Sequence, residues 1–244
     1  MRHLTVEGSY NVRDLGGYPT QDGHHTRWRV FIRAGNLDKV SPTGCQQLLD
    51  FGLKTIIDLR DEWEAQNFPD VFAHSTTVQY LNLPLIGNSL SRDELWKTTT
   101  QTYTLLHELY VTYLDHCQSQ VGAIIAAVAE SAPATLVHCH AGKDRTGLVA
   151  ALLLGAVGVP IPFIAQDYAE TRLQIAPLVA QWREDALRQG QDMQHFERDV
   201  AARSETMIPT LNHLQEHYGG VTNYLLHCGV SYLQLAQLLT RLVI

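Results

Sequence analysis

The densest chemistry in the chain lies between His138 and Thr146, in the run Cys139-His140-Ala141-Gly142-Lys143-Asp144-Arg145. A cysteine is nucleophilic as its thiolate, and nearby cations or a helix N-terminus favour that form. Unpaired backbone N–H groups at the start of a helix also bind anions. Arg145, six positions after the cysteine, offers a planar fork that grips two phosphate oxygens at once, as lysine cannot. Lys143 adds a second charge, and Thr146 carries a hydroxyl able to donate to sulfur when it leaves. The expected arrangement is a nucleophile inside a phosphate cradle: Cys139, Arg145 and Thr146 in the chemistry, His140, Ala141, Gly142 and Lys143 around the phosphate. His138 is expected to shape the loop and tune the thiol.

Three other chemistries fit the same residues less well. A nucleotide P-loop needs a glycine five positions before Gly142, where Val137 stands, and Ser or Thr after Lys143, where Asp144 stands. A zinc site could draw on His138-Cys139-His140, His116-Cys117 or His24-His25, but none has the spacing of a ligand pair. No metal is therefore expected. An inert core cysteine would not need Lys143 and Arg145 beside it.

The cradle needs a strand, a loop and a helix in that order, and the sequence supplies them. Ala134 to Val137 reads as a short strand, and Thr146 to Leu154 is apolar on all sides, as a buried helix is. Upstream, Arg29 to Arg33 reads as a strand. Ser41 and Pro42 start a helix that stops near Gly52. Lys54 to Arg60 reads as a buried strand ending in charge, and Thr77 to Leu83 as another. A polar stretch from Gly87 to about Thr100 reads as loop. Leu106, Leu109, Tyr110, Tyr113 and Leu114 then share a helical face, continued by Val121, Ile124, Ile125 and Val128. From Phe163 onward the pattern is helical almost throughout. Alternating strands and helices predict an α/β fold with a central, largely parallel twisted sheet flanked by helices and a helical C-terminal portion. No linker interrupts residues 1–244, which read as one domain.

The net charge of -7 argues against general nucleic-acid binding, because phosphate backbones attract clustered positive charge. Hydrophobic residues make up 45% of the chain, enough for a core without disulfide or metal staples. The four cysteines (Cys45, Cys117, Cys139, Cys228) form no CxxC pair, and the longest apolar run, Gly147 to Phe163, is too short to span a bilayer. The first residues lack a signal-peptide core, and the widely spaced cysteines suit a reducing setting, so a cytoplasmic location is expected, with unconventional export as the alternative.

His138-Cys139-x-x-Gly142-x-x-Arg145-Thr146 resembles the signature loop of the cysteine-dependent protein tyrosine phosphatases. The version Cys-His-Ala-Gly-Lys-Asp-Arg-Thr-Gly is similar to the bacterial and fungal tyrosine/serine phosphatases, a subfamily that includes phosphoinositide-active enzymes. Three further stretches carry the resemblance: Asn11-Val12-Arg13-Asp14-Leu15-Gly16-Gly17, Asp58-Leu59-Arg60 with Glu64 shortly after, and Tyr218-Gly219 to Tyr224-Leu225. It spans almost the whole chain.

The resemblance implies a phosphomonoester hydrolase with no metal and no cofactor, working through a phosphocysteine on Cys139. The implied substrates are phosphorylated proteins, with phosphotyrosine first and phosphoserine or phosphothreonine next. Phosphoinositide head groups are the alternative, because a lysine at position 143 resembles the relatives that hold additional phosphates. Arg13 and Arg60 are expected to add positive potential at the pocket mouth, although residues 11–14 also suit a structural turn. The general acid has three candidates, since no Trp-Pro-Asp tripeptide occurs. Asp58 leads, because it ends a strand at the rim where the signature loop lies, and its competing role is an ion pair with Arg13 or Arg60. Asp144 comes second and Asp93 third. The helices from Phe163 to about Tyr218 are candidates for an active-site cover. A non-catalytic phospho-binding module and a sulfur transferase are the competing functions, both disfavoured by the presence of Cys139 together with Arg145 and Thr146.

Overall fold

The computed structural model describes residues 2–87 and 105–244. Among these, five strands form one sheet in the order β1 (Arg13–Asp14), β2 (Phe31–Ala34), β5 (Thr135–His138), β3 (Thr55–Asp58), β4 (Gln79–Asn82). β1 runs antiparallel at one edge, and the remaining pairs are parallel. The last strand in sequence is therefore the central one. Its register sets His138 beside both Ala34 and Asp58, so β2, β5 and β3 end together. In such sheets the crevice outside the carboxyl ends is where ligands bind.

β2, β3 and β5 are buried throughout and send alternate side chains to two cores, while the edge strand β4 has no buried residue. Ile32, Ala34, Ile56 and Leu136 face one side, with Leu48 of α1 (Pro42–Phe51) and Leu53. Phe31, Ile57 and Val137 face the other, the side of α3 (Leu106–His116), α4 (Gln118–Glu130) and α5 (Asp144–Ala156). α5 has nine consecutive buried residues, Thr146 to Leu154, and its all-round apolarity reflects cover on every side. The two faces are unequal: one helix covers the first, and most helical residues stack over the second.

α1 begins and ends as its sequence requires. The Ser41 hydroxyl accepts from the Gly44 N–H at 3.1 Å, Pro42 opens the first turn, and Gly52 closes the helix at φ 109°. The helical face beginning at Leu106 does not run on through Val121: Cys117 interrupts it, ending α3 and preceding α4. The short α2 (Glu62–Asn67) has no buried residue and so no apolar period to read. A reciprocal capping box between Asp61 and Glu64 holds its first turn.

The C-terminal portion is helical: α6 (Ile161–Gln174), α7 (Ala176–Arg188), α8 (Met193–Val200), α9 (Ser204–Tyr218), α10 (Val221–His227) and α11 (Tyr232–Leu242). The Tyr218-to-Leu225 stretch ties this portion to α3. Tyr218 donates to Asp115 at 2.8 Å, and the buried Tyr224 hydroxyl donates to the Leu114 carbonyl at 2.7 Å. No described helix is long and apolar enough to cross a membrane.

Candidate active site

β5 delivers its last residue, His138, to the sheet's carboxyl rim, and the chain turns through Cys139 to Lys143 into the first turn of α5. Cys139 is buried, with 3% exposure. Gly142 sits at φ 67°, and a Cβ there would lie 2.3 Å from the Ala34 carbonyl oxygen. Only glycine lets the loop pass this close to β2. Thr146 is fully buried, and its Oγ1 has no hydrogen-bond partner among the described residues.

Arg145 projects into a cavity of about 430 Å³. Leu59, Ile86, Leu106, Leu109 and Tyr113 form its apolar wall, and the acidic residues Asp61, Glu64, Asp144 and Asp199 also line it. The Arg145 guanidinium forks onto the Glu64 carboxylate, Nη2 at 2.9 Å from Oε1 and Nη1 on Oε2. Burial would raise the Glu64 carboxyl, but the hydrogen bonds and charge of Arg145 outweigh it and hold it below the usual range. The anion-binding fork is thus filled by the protein's own carboxylate.

Asp144 stands on the same cavity with its side chain about one-third exposed. Its Oδ1 accepts from the Tyr110 hydroxyl at 2.5 Å and lies 3.1 Å from Lys143 Nζ. Tyr110 in turn meets the Tyr168 hydroxyl at 2.7 Å. Burial, and then the Asp144 charge, push the Tyr110 phenol well up, so it remains a donor.

Asp58 is placed differently from the leading acid candidate of the sequence. It is fully buried, and Arg60 chelates it through Nε at 2.9 and 3.0 Å and Nη2 at 2.6 Å, while the Tyr80 hydroxyl donates at 2.7 Å. Burial alone would raise its carboxyl, yet the His138 ring and Arg60 hold it below the ordinary range. Asp58 is not among the residues that line the cavity, and its carboxylate is taken up by Arg60 and Tyr80. Of its two candidate ion-pair partners, Arg60 is the one that forms the pair. Asp93 lies outside the described residues.

Arg13 and Arg60 are likewise not at the pocket mouth, because both guanidinium groups are spent inside the fold. Arg60 also donates to the Phe68 carbonyl at 2.8 Å. Arg13 pairs with Asp167 on α6 (Nε to Oδ1, 2.9 Å) and donates to the Asp167 carbonyl and Thr171. Arg33 reaches the other Asp167 oxygen at 2.6 Å, and Tyr18 donates to the first at 2.9 Å. Burial would raise the Asp167 carboxyl, but Arg13 and Arg33 overcome that and hold it far below the usual carboxylate range. Asp14 caps the turn that follows β1, accepting from the Gly16 and Arg29 N–H groups at 2.9 and 2.8 Å.

His138 is fully buried, with Nδ1 3.2 Å from the Cys139 carbonyl and Nε2 3.2 Å from Asp70. The helices beyond Phe163 reach the loop from both members of the α7–α8 pair. Trp182 of α7 stacks on the His140 ring at 5.8 Å, and Lys143 Nζ donates to the Asp199 carbonyl at the end of α8. Lys143 is buried by that contact, with 4% exposure. Among the described residues no group of three His, Cys, Asp or Glu side chains is arranged to hold a metal ion.

Arg33, Asp167, Tyr110, Tyr168 and Trp182 were not legible as site residues from the sequence. Arg33 meets the loop at Gly142, Tyr110 at Asp144 and Trp182 at His140, while Asp167 and Tyr168 connect to it through Arg33 and Tyr110, each from more than twenty residues away along the chain and with no motif of its own. The Asp167 signal was at most a lone acid on a buried helical face.

A largely parallel five-stranded sheet flanked by helices, with the Cys139–Arg145 loop at its carboxyl rim, defines an α/β protein. The model of the tyrosine phosphatase family matches residues 4–244, so the chain belongs to that family of enzymes. A tyrosine-protein phosphatase of Nostoc commune is 32% identical over 219 residues, covering 87% of this chain and 74% of that protein. The triple specificity protein phosphatase PtpB of Mycobacterium tuberculosis is 23% identical over 269 residues, covering 93% and 94%.

Proposed function

We propose that the chain hydrolyses phosphotyrosine monoesters through a phosphocysteine on Cys139. The observation that carries this reading is Arg145 opening onto an apolar-walled cavity immediately after a buried cysteine loop. The substrate phosphate replaces Glu64 on the Arg145 fork, and the loop N–H groups bind the remaining oxygens. The Cys139 thiolate attacks phosphorus, the P–O ester bond breaks, and the leaving phenolate takes a proton from Asp144. Water then attacks the phosphocysteine and gives its proton back to the Asp144 carboxylate. The P–S bond breaks, releasing phosphate and the thiolate, to which Thr146 donates a hydrogen bond.

Asp144 replaces Asp58 as the acid because it shares the cavity with Arg145, whereas Asp58 is sealed by Arg60 and Tyr80. Tyr110 and Lys143 occupy Asp144 Oδ1, which leaves Oδ2 to carry the transferred proton. The α7–α8 pair covers the loop through Trp182 and Asp199, and its opening admits the substrate. An aromatic ring suits the wall of Leu59, Ile86, Leu106, Leu109 and Tyr113. A polyphosphorylated inositol suits it less: Lys143, Arg13 and Arg60 are all engaged internally, and four acidic residues are among those lining the cavity.

The test is hydrolysis of p-nitrophenyl phosphate with a chelator present, by wild type, Cys139→Ser, Asp144→Asn and Asp58→Asn. Metal-free turnover that vanishes in Cys139→Ser is expected. Asp144→Asn should lose about 10²-fold, and more on phosphoserine peptides, whose poorer leaving group needs the proton more. A folded wild type with no turnover sinks the enzyme reading, and a larger loss in Asp58→Asn than in Asp144→Asn returns the acid role to Asp58. Because the Mycobacterium relative carries three specificities in its name, the substrate panel includes phosphotyrosine, phosphoserine and a phosphoinositide.

A further inference from the structure

We propose that Asn11 and Arg33 are positioning residues that turn the phosphate cradle inside out: they seize its carbonyls from behind, so that its N–H groups face the phosphate. The inference rests on the phosphatase reading for its functional meaning, but the geometry stands by itself. Three successive carbonyls of the loop are taken on the same side, by residues of the N-terminal segment and the β2 end. The His140 oxygen accepts from the Asn36 N–H at 2.8 Å. The Ala141 oxygen accepts from Asn11 Nδ2 at 3.1 Å. The Gly142 oxygen accepts from Asn11 Nδ2 at 2.9 Å and from Arg33 Nη2 at 2.6 Å.

A planar trans peptide points the carbonyl of one residue and the N–H of the next in opposite directions. Capturing the carbonyls of residues 140, 141 and 142 therefore aims the N–H groups of Ala141, Gly142 and Lys143 the other way. Three aligned donors form an anion nest whose orientation is fixed before any ligand arrives.

The two captors are themselves held. Asn11 is 2% exposed and sits at φ 60°, a left-handed conformation that asparagine tolerates better than most residues. Its Oδ1 accepts from Arg13 Nη1, which orients the amide so that Nδ2 faces the loop. Arg33 is fully buried, with Nη1 on Asp167 at 2.6 Å and Nη2 on the loop. Asp167 thereby links α6 to the cradle through a charged hydrogen bond, and Arg13 completes the frame by binding Asp167 and Asn11 at once. Within Asn11-Val12-Arg13-Asp14, the asparagine and arginine act on the loop through contacts and never face the cavity.

The experiment measures inorganic tungstate, an inert oxyanion, by titration calorimetry on wild type, Asn11→Gly and Asn11→Asp, with the thermal midpoint of each. Asn11→Gly keeps the left-handed backbone and removes the donor. Asn11→Asp keeps the shape and the acceptor for Arg13 but sets a carboxylate oxygen against two carbonyls. Wild type should bind tungstate, Asn11→Gly about 10-fold more weakly and Asn11→Asp about 100-fold more weakly, with kcat/KM falling in step. Unchanged affinity in Asn11→Gly overturns the proposal, even if Asn11→Asp is weakened, since the effect would then be charge alone. A lowered midpoint with full tungstate affinity also overturns it, making Asn11 merely structural. A wild type that binds no tungstate overturns it too. If wild type binds tungstate and both variants lose it, yet no phosphate ester is turned over, the cradle stands and the hydrolase reading falls.

Discussion

Two arginine–carboxylate clusters flank the Cys139 loop, and they differ in what surrounds them. Behind the loop, Asp167 is shared by Arg13 and Arg33, with side-chain exposures of 0% for both arginines and 2% for the acid. In front, Arg145 and Glu64 keep 16% and 20%. Two cations and the Tyr18 hydroxyl saturate the rear carboxylate, and no solvent competes for it. Such a cluster costs more desolvation to build, and far more to break, than an exposed pair. The front pair is open to water and sits on the cavity, so a dianionic phosphate can displace a monoanionic carboxylate from the same fork. One cluster is sealed inside the fold, and the other is a pair on the cavity that, on the proposed function, phosphate exchanges.

The sharpest way to break the comparison is to neutralise the rear acid. Asp167→Asn leaves two buried guanidinium groups sharing no charge, and we expect a loss of about 3–5 kcal/mol in denaturant unfolding. A loss below about 1 kcal/mol would show that the rear cluster is no frame. Its pH behaviour follows from the depressed carboxyl. The stabilisation is fully present above the ordinary value of 3.8 and disappears only as pH falls through the much lower folded value. Wild type and Asp167→Asn should therefore differ by a constant amount at all pH values above about 5.

At the front, Arg145→Lys should cut kcat/KM by about 10²–10³-fold, because one ammonium cannot span two phosphate oxygens. The thermal midpoint should move by no more than a few degrees, the shift that about 1 kcal/mol produces. A collapse in stability instead would mean that the front pair, too, is structural.

The smallest effect is expected from Glu64→Gln. Removing the competing anion should tighten inorganic phosphate inhibition about 3-fold to 10-fold, at a stability cost of about 1 kcal/mol. With the Glu64 carboxyl depressed, that cost is present above its ordinary value of 4.5 and vanishes as pH falls through the folded value. Weaker phosphate inhibition in this variant would show that Glu64 orients Arg145 for the phosphate instead of occupying it.

Much of this molecule was readable along the chain. The strand, loop and helix around Cys139 are local, and so are the signals at Ser41, Pro42 and Gly52 that bound α1. The period-2 alternation through Phe31–Ala34 and Thr55–Asp58 was overlaid by burial on both faces, so those segments read as apolar runs without revealing which residue meets which core. The α3–α4 break at Cys117 escaped because apolar spacing reports a shared face and not the continuity of an axis. α2 escaped because nothing in it is buried. Arg13 and Arg60 were expected at the cavity because their charge is visible in the sequence and their burial is not. Asp58 was expected as an acid for the same reason, since a strand end reports position on the rim but not whether Arg60 and Tyr80 already hold the carboxylate.

Taken alone, the chain's order of residues determined the strand, loop and helix that carry Cys139, Gly142 and Arg145, because a strand-to-helix turn is built from neighbours. It also determined the α/β class, through the alternation of short β-branched runs with helical spacing. Tertiary structure alone decided which charges line the cavity and which face one another. Arg13 finds Asp167 across 154 positions, Arg33 finds it across 134, and Arg145 finds Glu64 across 81. Ion pairing depends on distance in space and on desolvation, and neither quantity is written in the spacing of residues along the chain.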